Sequence, residues 1–304
     1  MSFFDLQING YAGVDFNQDD LTAEGLRTAC ERLERDGVGG LLATIVTEEI
    51  GGMERRLANI VGLRERDPLA ESLIAGIHIE GPFLNETPGY KGAHPEDAIH
   101  PANVDEMKRL LDAAGGLTRL VTLAPERDPG FVTTRFLAEQ GVTVSAGHCD
   151  SSLDELRGAI DAGLTMFTHL GNGCPMQMHR HDNIVQRALS LHDQLVLCFI
   201  ADGAHVAFPA LGNYLRLAGL DRAVVVTDAV APAGMGPGTY RLGRWTLAIG
   251  EDMVARAPDG SHLVGAAITM PATLRNLVER VGIGEADALR LTGDNARAAV
   301  GIIV

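Results

Sequence analysis

A chain of 304 residues suits one large domain or two ordinary ones, and α/β barrels commonly fill this length as a single unit. Its 46% hydrophobic and 21% charged residues are an ordinary globular balance, with ample apolar material for a core. Forty acidic against 25 basic residues give a net charge of −15, which repels a phosphate backbone and argues against nucleic-acid binding.

The first residues carry no basic stretch followed by an apolar one, so no signal peptide is expected. No run approaches the roughly 18 apolar residues a membrane span requires. From there the chain alternates. Short, nearly continuous apolar runs, as expected of parallel strands covered on both faces, lie at 3–8, 38–46, 73–80, 118–124, 142–148, 165–169, 195–201 and 223–228. Helical patterns lie between them at 22–36, 106–114, 130–140, 151–162 and 207–218. The first has its apolar stripe at Leu26, Ala29, Cys30 and Leu33, and Ser151 ahead of Asp154 and Glu155 reads as a helix cap. Glycine closes several of these helices before the next strand, at Gly37, Gly141, Gly163 and Gly219.

Eight strands, most followed by a helix, predict a (β/α)8 TIM-like barrel. An open dinucleotide-binding sheet would need a G-x-G-x-x-G turn after a strand, and none stands in that setting. One barrel domain over 1–304 is expected, with a β-hairpin insertion at about 239–262. The four cysteines, Cys30, Cys149, Cys174 and Cys198, form no C-x-x-C pair and read as the reduced thiols of a cytoplasmic protein.

Barrel enzymes place their chemistry at the C-terminal ends of the strands. Here those ends carry Glu80, His148, His169 and Asp228, with His205 shortly after the seventh strand. Each costs free energy if buried without a partner, so their recurrence on one rim points to a metal centre. Glu80, His148 and His169 supply a carboxylate and two imidazoles, a set suited to zinc with a position left open for water. Such a metal polarises a carbonyl and acidifies water, and Asp228 stands where a carboxylate can carry the proton. His78 is assigned a structural role.

Several motifs together resemble the N-acetylglucosamine-6-phosphate deacetylases of the amidohydrolase superfamily. They are G-I-H-I-E-G-P-F-L-N (76–85), K-G-A-H (91–94), V-S-A-G-H (144–148), T-H-L-G-N (168–172), A-D-G-A-H-V (201–206), V-T-D-A-V-A-P-A-G (226–234), 263–270 and R-N-L-V (275–278). The match runs in order from Asp5 to about Gly301, and H-x-E-G-P together with K-G-x-H is its specific part.

The resemblance implies Glu80, His148 and His169 as metal ligands and Asp228 as the base that later acts as acid. It implies Ala93 and His94 at the substrate, with His94 polarising the amide carbonyl. Asn172, the Gly173 backbone, Arg180 and His205 would bind the sugar phosphate, and Leu263, Val264 and Gly265 would line the acetyl pocket. Arg180 would reach across to the neighbouring site of a homodimer. The implied reaction is hydrolysis of the N-acetyl group of N-acetylglucosamine 6-phosphate or a close N-acetylhexosamine phosphate. The metal would be zinc, with iron, cobalt and manganese able to share such ligands. Deacylation of another amino sugar, or non-catalytic sugar-phosphate binding, are the alternatives.

Three departures stand out. Gln7-Ile8-Asn9 occupies the place where many amidohydrolases carry H-x-H, which predicts one metal because neutral amides are weak zinc ligands. The flanking β-sandwich of the family is small or absent, and Gly173-Cys174 stands where the family has Ala-Met, which would retune the sugar pocket. His179-Arg180-His181 reads as positive charge near the phosphate rather than a second metal pair.

Overall fold

The computed structural model describes residues 2–302, so residues 1, 303 and 304 of the expected domain lie outside the described residues. Eight strands form one parallel sheet in sequential order: β1 Phe3–Ile8, β2 Val38–Val46, β3 Ile74–Glu80, β4 Thr118–Leu123, β5 Thr143–Ala146, β6 Leu164–Phe167, β7 Val196–Ile200 and β8 Ala223–Val226. At the seam the regular ladder gives way to a bridge between Ile8 and Ala229, where Asn9 and Gly10 donate their N–H groups to the Ala229 carbonyl. The sheet thereby curls into a nearly closed (β/α)8 barrel.

Each of the first seven strands feeds a helix that returns along the outside. Ala23–Arg35 follows β1, and Ile50–Arg64, Val104–Ala113, Val132–Glu139, Leu153–Asp161, Ile184–Leu189 and Phe208–Ala218 follow in turn. Alternation along the strands separates two cores. Leu41, Ala43, Ile77, Ile79, Val121 and Val144 pack outward against the helices. Phe4, Leu42, Leu120, Met166, Cys198 and Val224 form a separate cluster that Ala296 and Val300, near the end of the described chain, join.

After β8 the chain makes a three-stranded antiparallel sheet, β9 Gly238–Leu242, β10 Trp245–Ile249 and β11 Ala255–Arg256, before the helix Met270–Asn276. Its tip is pinned. The Gly243 N–H donates to Asp15 and its carbonyl accepts from Gln18, both at 2.7 Å, while Arg244 pairs with Glu48 and Asp97.

Three expected strands overran. Residues 142–148, 165–169 and 223–228 read as strand to their polar ends, yet β5, β6 and β8 stop at Ala146, Phe167 and Val226. The reason is conformational: His148, His169 and Asp228 have φ of 49°, 30° and 52°, outside any strand geometry. Within the 239–262 insertion the chain turns between β9 and β10 at Gly243, whose φ is 53°.

The cap ahead of Leu153–Asp161 is Ser152, not Ser151. Ser152 Oγ accepts the Glu155 N–H at 3.2 Å, and the Glu155 carboxylate accepts the Ser152 N–H at 2.7 Å. Ser151 instead donates its hydroxyl to Glu126. Ser152→Ala, which removes one half of this reciprocal pair, is expected to lower stability by about 1 kcal/mol in urea titration without changing catalysis.

Candidate active site

The residues just past β3, β5, β6 and β8 converge at the C-terminal rim. Glu80 ends β3, and Gly81 after it turns at φ 84°, with a Cβ there lying 2.0 Å from the Thr47 hydroxyl, so only glycine fits. Positive φ at His148, His169 and Asp228 swings each side chain off its strand and over the barrel mouth. These three are half of the non-glycine residues in that region among the described residues, as expected where strain is retained for function. Each strained carbonyl has a partner. Asn85 donates to His148 at 3.0 Å, Asn172 to His169 at 3.0 Å, and Ala266 to Asp228 at 2.9 Å.

The Nε2 atoms of His169 and His148 lie 3.1 and 3.4 Å from Glu80 Oε1, and the three residues are 3%, 7% and 3% exposed for His169, His148 and Glu80 respectively. Their donor atoms all fall within 4.8 Å of one another, the one such group of three among the described residues. His148 Nδ1 sits 2.9 Å from the Tyr90 carbonyl, which only accepts, so this nitrogen carries a proton and Nε2 is the atom left to face the Glu80 oxygen. A cation at this point would be met by the Nε2 lone pairs of neutral imidazoles and by the carboxylate oxygen. The set therefore fits a divalent metal with nitrogen and oxygen ligands, and the Tyr90 carbonyl orients one ligand from behind.

The charges agree. Burial works against the Glu80 carboxylate, but hydrogen bonds from His148 and His169 outweigh it and hold its pKa well below the ordinary carboxylate value. Burial likewise opposes protonation of His169, yet Glu80 more than offsets it and raises the pKa. Asp228 moves the other way, pushed up to about 6 first by burial and then by the Glu80 charge. Its Oδ1 accepts from Asn9 at 2.7 Å, and Gln7 donates to Glu80 Oε1 at 3.1 Å. The amides of β1 thus serve as hydrogen-bond donors to the two carboxylates.

His94, on the long loop after β3, reaches the same point: its Nε2 is 3.3 Å from His148 Nε2 and 3.9 Å from Glu80 Oε2. Burial, then the neighbouring His148, pushes its pKa down to about 3, so it stands neutral, and its Nδ1 has no partner. Glycines let this loop close. Added Cβ atoms at Gly92 and Gly173 would lie 2.7 and 2.8 Å from the His148 ring, and both have positive φ.

A cavity of about 870 Å³ opens above these groups. Of the residues that the resemblance assigned to the substrate, Ala93, His94, Asn172, Gly173, His205, Leu263 and Gly265 line it. His205 is held by Asp202, 2.7 Å from Nδ1, leaving Nε2 for the cavity. Two expected residues lie elsewhere. Val264 points away between Leu263 and Gly265 and packs with Val230, Leu242 and Leu247 in the hairpin core. Arg180 is exposed and lies off the wall of its own cavity. Sequence reasoning missed Lys91, Arg244 and Trp245 on the wall. K-G-x-H marked the first, whereas hairpin residues gave no signal. His78 lies below the site, its Nε2 2.8 Å from the Thr122 hydroxyl.

A (β/α)8 barrel with a buried Glu/His/His group and a carboxylate just past its last strand defines a metal-dependent amidohydrolase. No family model matches the chain. It is 32% identical over 301 residues to the N-acetylglucosamine-6-phosphate deacetylase of Bacillus subtilis, covering 98% of this chain and 74% of that one. It is also 32% identical over 291 residues to the N-acetylgalactosamine-6-phosphate deacetylase of Escherichia coli O157:H7, covering 95% and 74%. Among solved structures, an aspartate-to-alanine variant of the Mycobacterium smegmatis N-acetyl-D-glucosamine-6-phosphate deacetylase, in complex with N-acetyl-D-glucosamine-6-phosphate, superposes with a TM-score of 0.89 at 31% identity. That match covers 99% of this chain and 77% of the other. The chain belongs to the N-acetylglucosamine-6-phosphate deacetylase family and is an enzyme.

Gly92→Ala tests the packing around the metal ligands. The added methyl presses on His148, so metal affinity should fall about 10- to 100-fold, read by metal analysis after dialysis against a competing chelator.

Proposed function

We propose that this enzyme hydrolyses the N-acetyl group of N-acetylglucosamine 6-phosphate, giving acetate and the amino sugar phosphate. The observation that carries this reading is the meeting of Glu80, His148 and His169 at one point, with Asp228 just past the last strand and His94 closing from the loop. A divalent ion held by Glu80, His148 and His169, most simply zinc, supplies Lewis acidity toward the amide carbonyl and acidifies water.

The remaining work belongs to side chains. Asp228, its pKa raised by burial, is suited to accept a proton from the attacking water and to return it to the sugar nitrogen as the C–N bond breaks. Asn9 holds the Asp228 carboxylate in place. Neutral His94 has one ring N–H to donate to the carbonyl oxygen as negative charge gathers there. Leu263 and Gly265 supply an apolar wall for the acetyl methyl. Asn172, the Gly173 backbone and His205 line the cavity as donors for the sugar phosphate, whose oxygens accept many hydrogen bonds.

Arg180 completes the phosphate site of a partner copy in a homodimer. Its exposure on the loop after β6, outside its own cavity, supports this reading. We also read residues 1–304 as one barrel domain bearing the 239–262 hairpin. A cytoplasmic location suits its four free cysteines. No helix among the described residues is long and apolar enough to cross a membrane. Deacetylation of the galactosamine epimer is the second reading, favoured by the equal identity to the Escherichia coli relative.

Acetate release from a panel of N-acetylglucosamine 6-phosphate, its galactosamine epimer and the unphosphorylated sugars tests the proposal. Release is expected from the phosphorylated sugars, to cease with chelator and to return with zinc. No release from any of them overturns it. Asp228→Asn should lower kcat by about 10²- to 10⁴-fold while leaving bound metal unchanged.

A further inference from the structure

Asp5 is a fully buried carboxylate with no positively charged partner, and the reaction does not touch it. Burial pushes its pKa up to about 7 against the pull of its hydrogen bonds to Thr227 and Gln7. A group this costly to bury is rarely explained by packing alone.

Its contacts fall where the barrel closes. The pairing of β1 with β2 shifts register between Asp5 and Ile8, and at that shift Asp5 Oδ1 accepts the Gln7 N–H at 3.1 Å. Across the seam, where β8 has no backbone ladder to β1, the same carboxylate accepts the Thr227 N–H at 3.3 Å and a short hydrogen bond from the Thr227 hydroxyl at 2.5 Å. The Thr227 oxygen in turn accepts the Ala229 N–H at 3.1 Å. Thr227 and Ala229 flank Asp228, whose φ of 52° is unfavourable for a residue with a Cβ. Without Asp5, the backbone before Asp228 loses a main tie to the seam.

We propose that Asp5 is a positioning residue for the reaction, holding Asp228 in its strained, productive conformation by gripping Thr227 across the barrel seam. This rests on Asp228 as the proton carrier. Thr227→Val separates the role from metal binding, since Asp5 also accepts the N–H of Gln7, a donor to Glu80, whereas Thr227 hydrogen-bonds to none of Glu80, His148 and His169. The role is also separable from substrate binding, since Asp5 and Thr227 do not line the cavity. Misplacing a catalytic group by about 1 Å is enough to cost about 100-fold in rate.

The test compares Asp5→Asn, Thr227→Val, their double variant, Thr227→Ser and Asp228→Asn in the metal-loaded enzyme, scoring kcat, KM, bound metal and folding by circular dichroism. Asp5→Asn and Thr227→Val should each lower kcat about 10- to 100-fold with KM and metal content within about twofold. The double variant should lose no more than either single one, because both break the same link. Thr227→Ser, which keeps the hydroxyl, should stay within about threefold of the parent. If Asp5→Asn does not fold, Thr227→Val against Thr227→Ser carries the comparison alone. A folded Asp5→Asn or Thr227→Val with undiminished kcat overturns the inference, as does a loss that tracks metal content, or additive losses in the double variant. Should Asp228→Asn itself retain activity, the reading of Asp228 fails instead.

Discussion

A single oxygen of Glu80 receives an amide N–H from Gln7 and faces the Nε2 atoms of two imidazoles, all out of contact with bulk water. With Nδ1 of His148 turned to the Tyr90 carbonyl, its Nε2 is left to meet the Glu80 oxygen through a proton or through a cation. Much of the local architecture serves to make it possible. Three strands deliver the ligands from different directions, and the barrel keeps them from relaxing apart.

The cost of that delivery is local strain. A strand carries its last side chain along the sheet normal, whereas the site needs His148, His169 and Asp228 turned over the mouth. Left-handed backbone conformations at all three achieve the turn, and neighbouring N–H groups secure the exposed carbonyls. Strain at each position is modest beside the cooperative packing of eight strands and their helices, so the fold tolerates it where chemistry requires it.

The barrel was legible because its strands are buried on both faces and therefore read as short apolar blocks, from Phe3–Ile8 to Ala223–Val226. Glu80, His148, His169 and Asp228 stood out because ionisable groups at the ends of such blocks have few bland explanations. The strand ends were misjudged because φ at His148 and Asp228 depends on tertiary contacts that propensity does not record. Val264 was placed on the cavity wall by position in a motif, yet the alternation of the hairpin turns it into an apolar cluster. Asp5 passed unnoticed because a carboxylate inside an apolar block gives no hint of a partner more than 200 positions away.

The two glycines against the His148 ring constrain substitution. Gly92 and Gly173 lie on different loops, and those loops also shape the mouth where a sugar would enter. At these two points any side chain presses directly on the His148 ring. Side chains at the hairpin, by contrast, line the cavity without touching that ring.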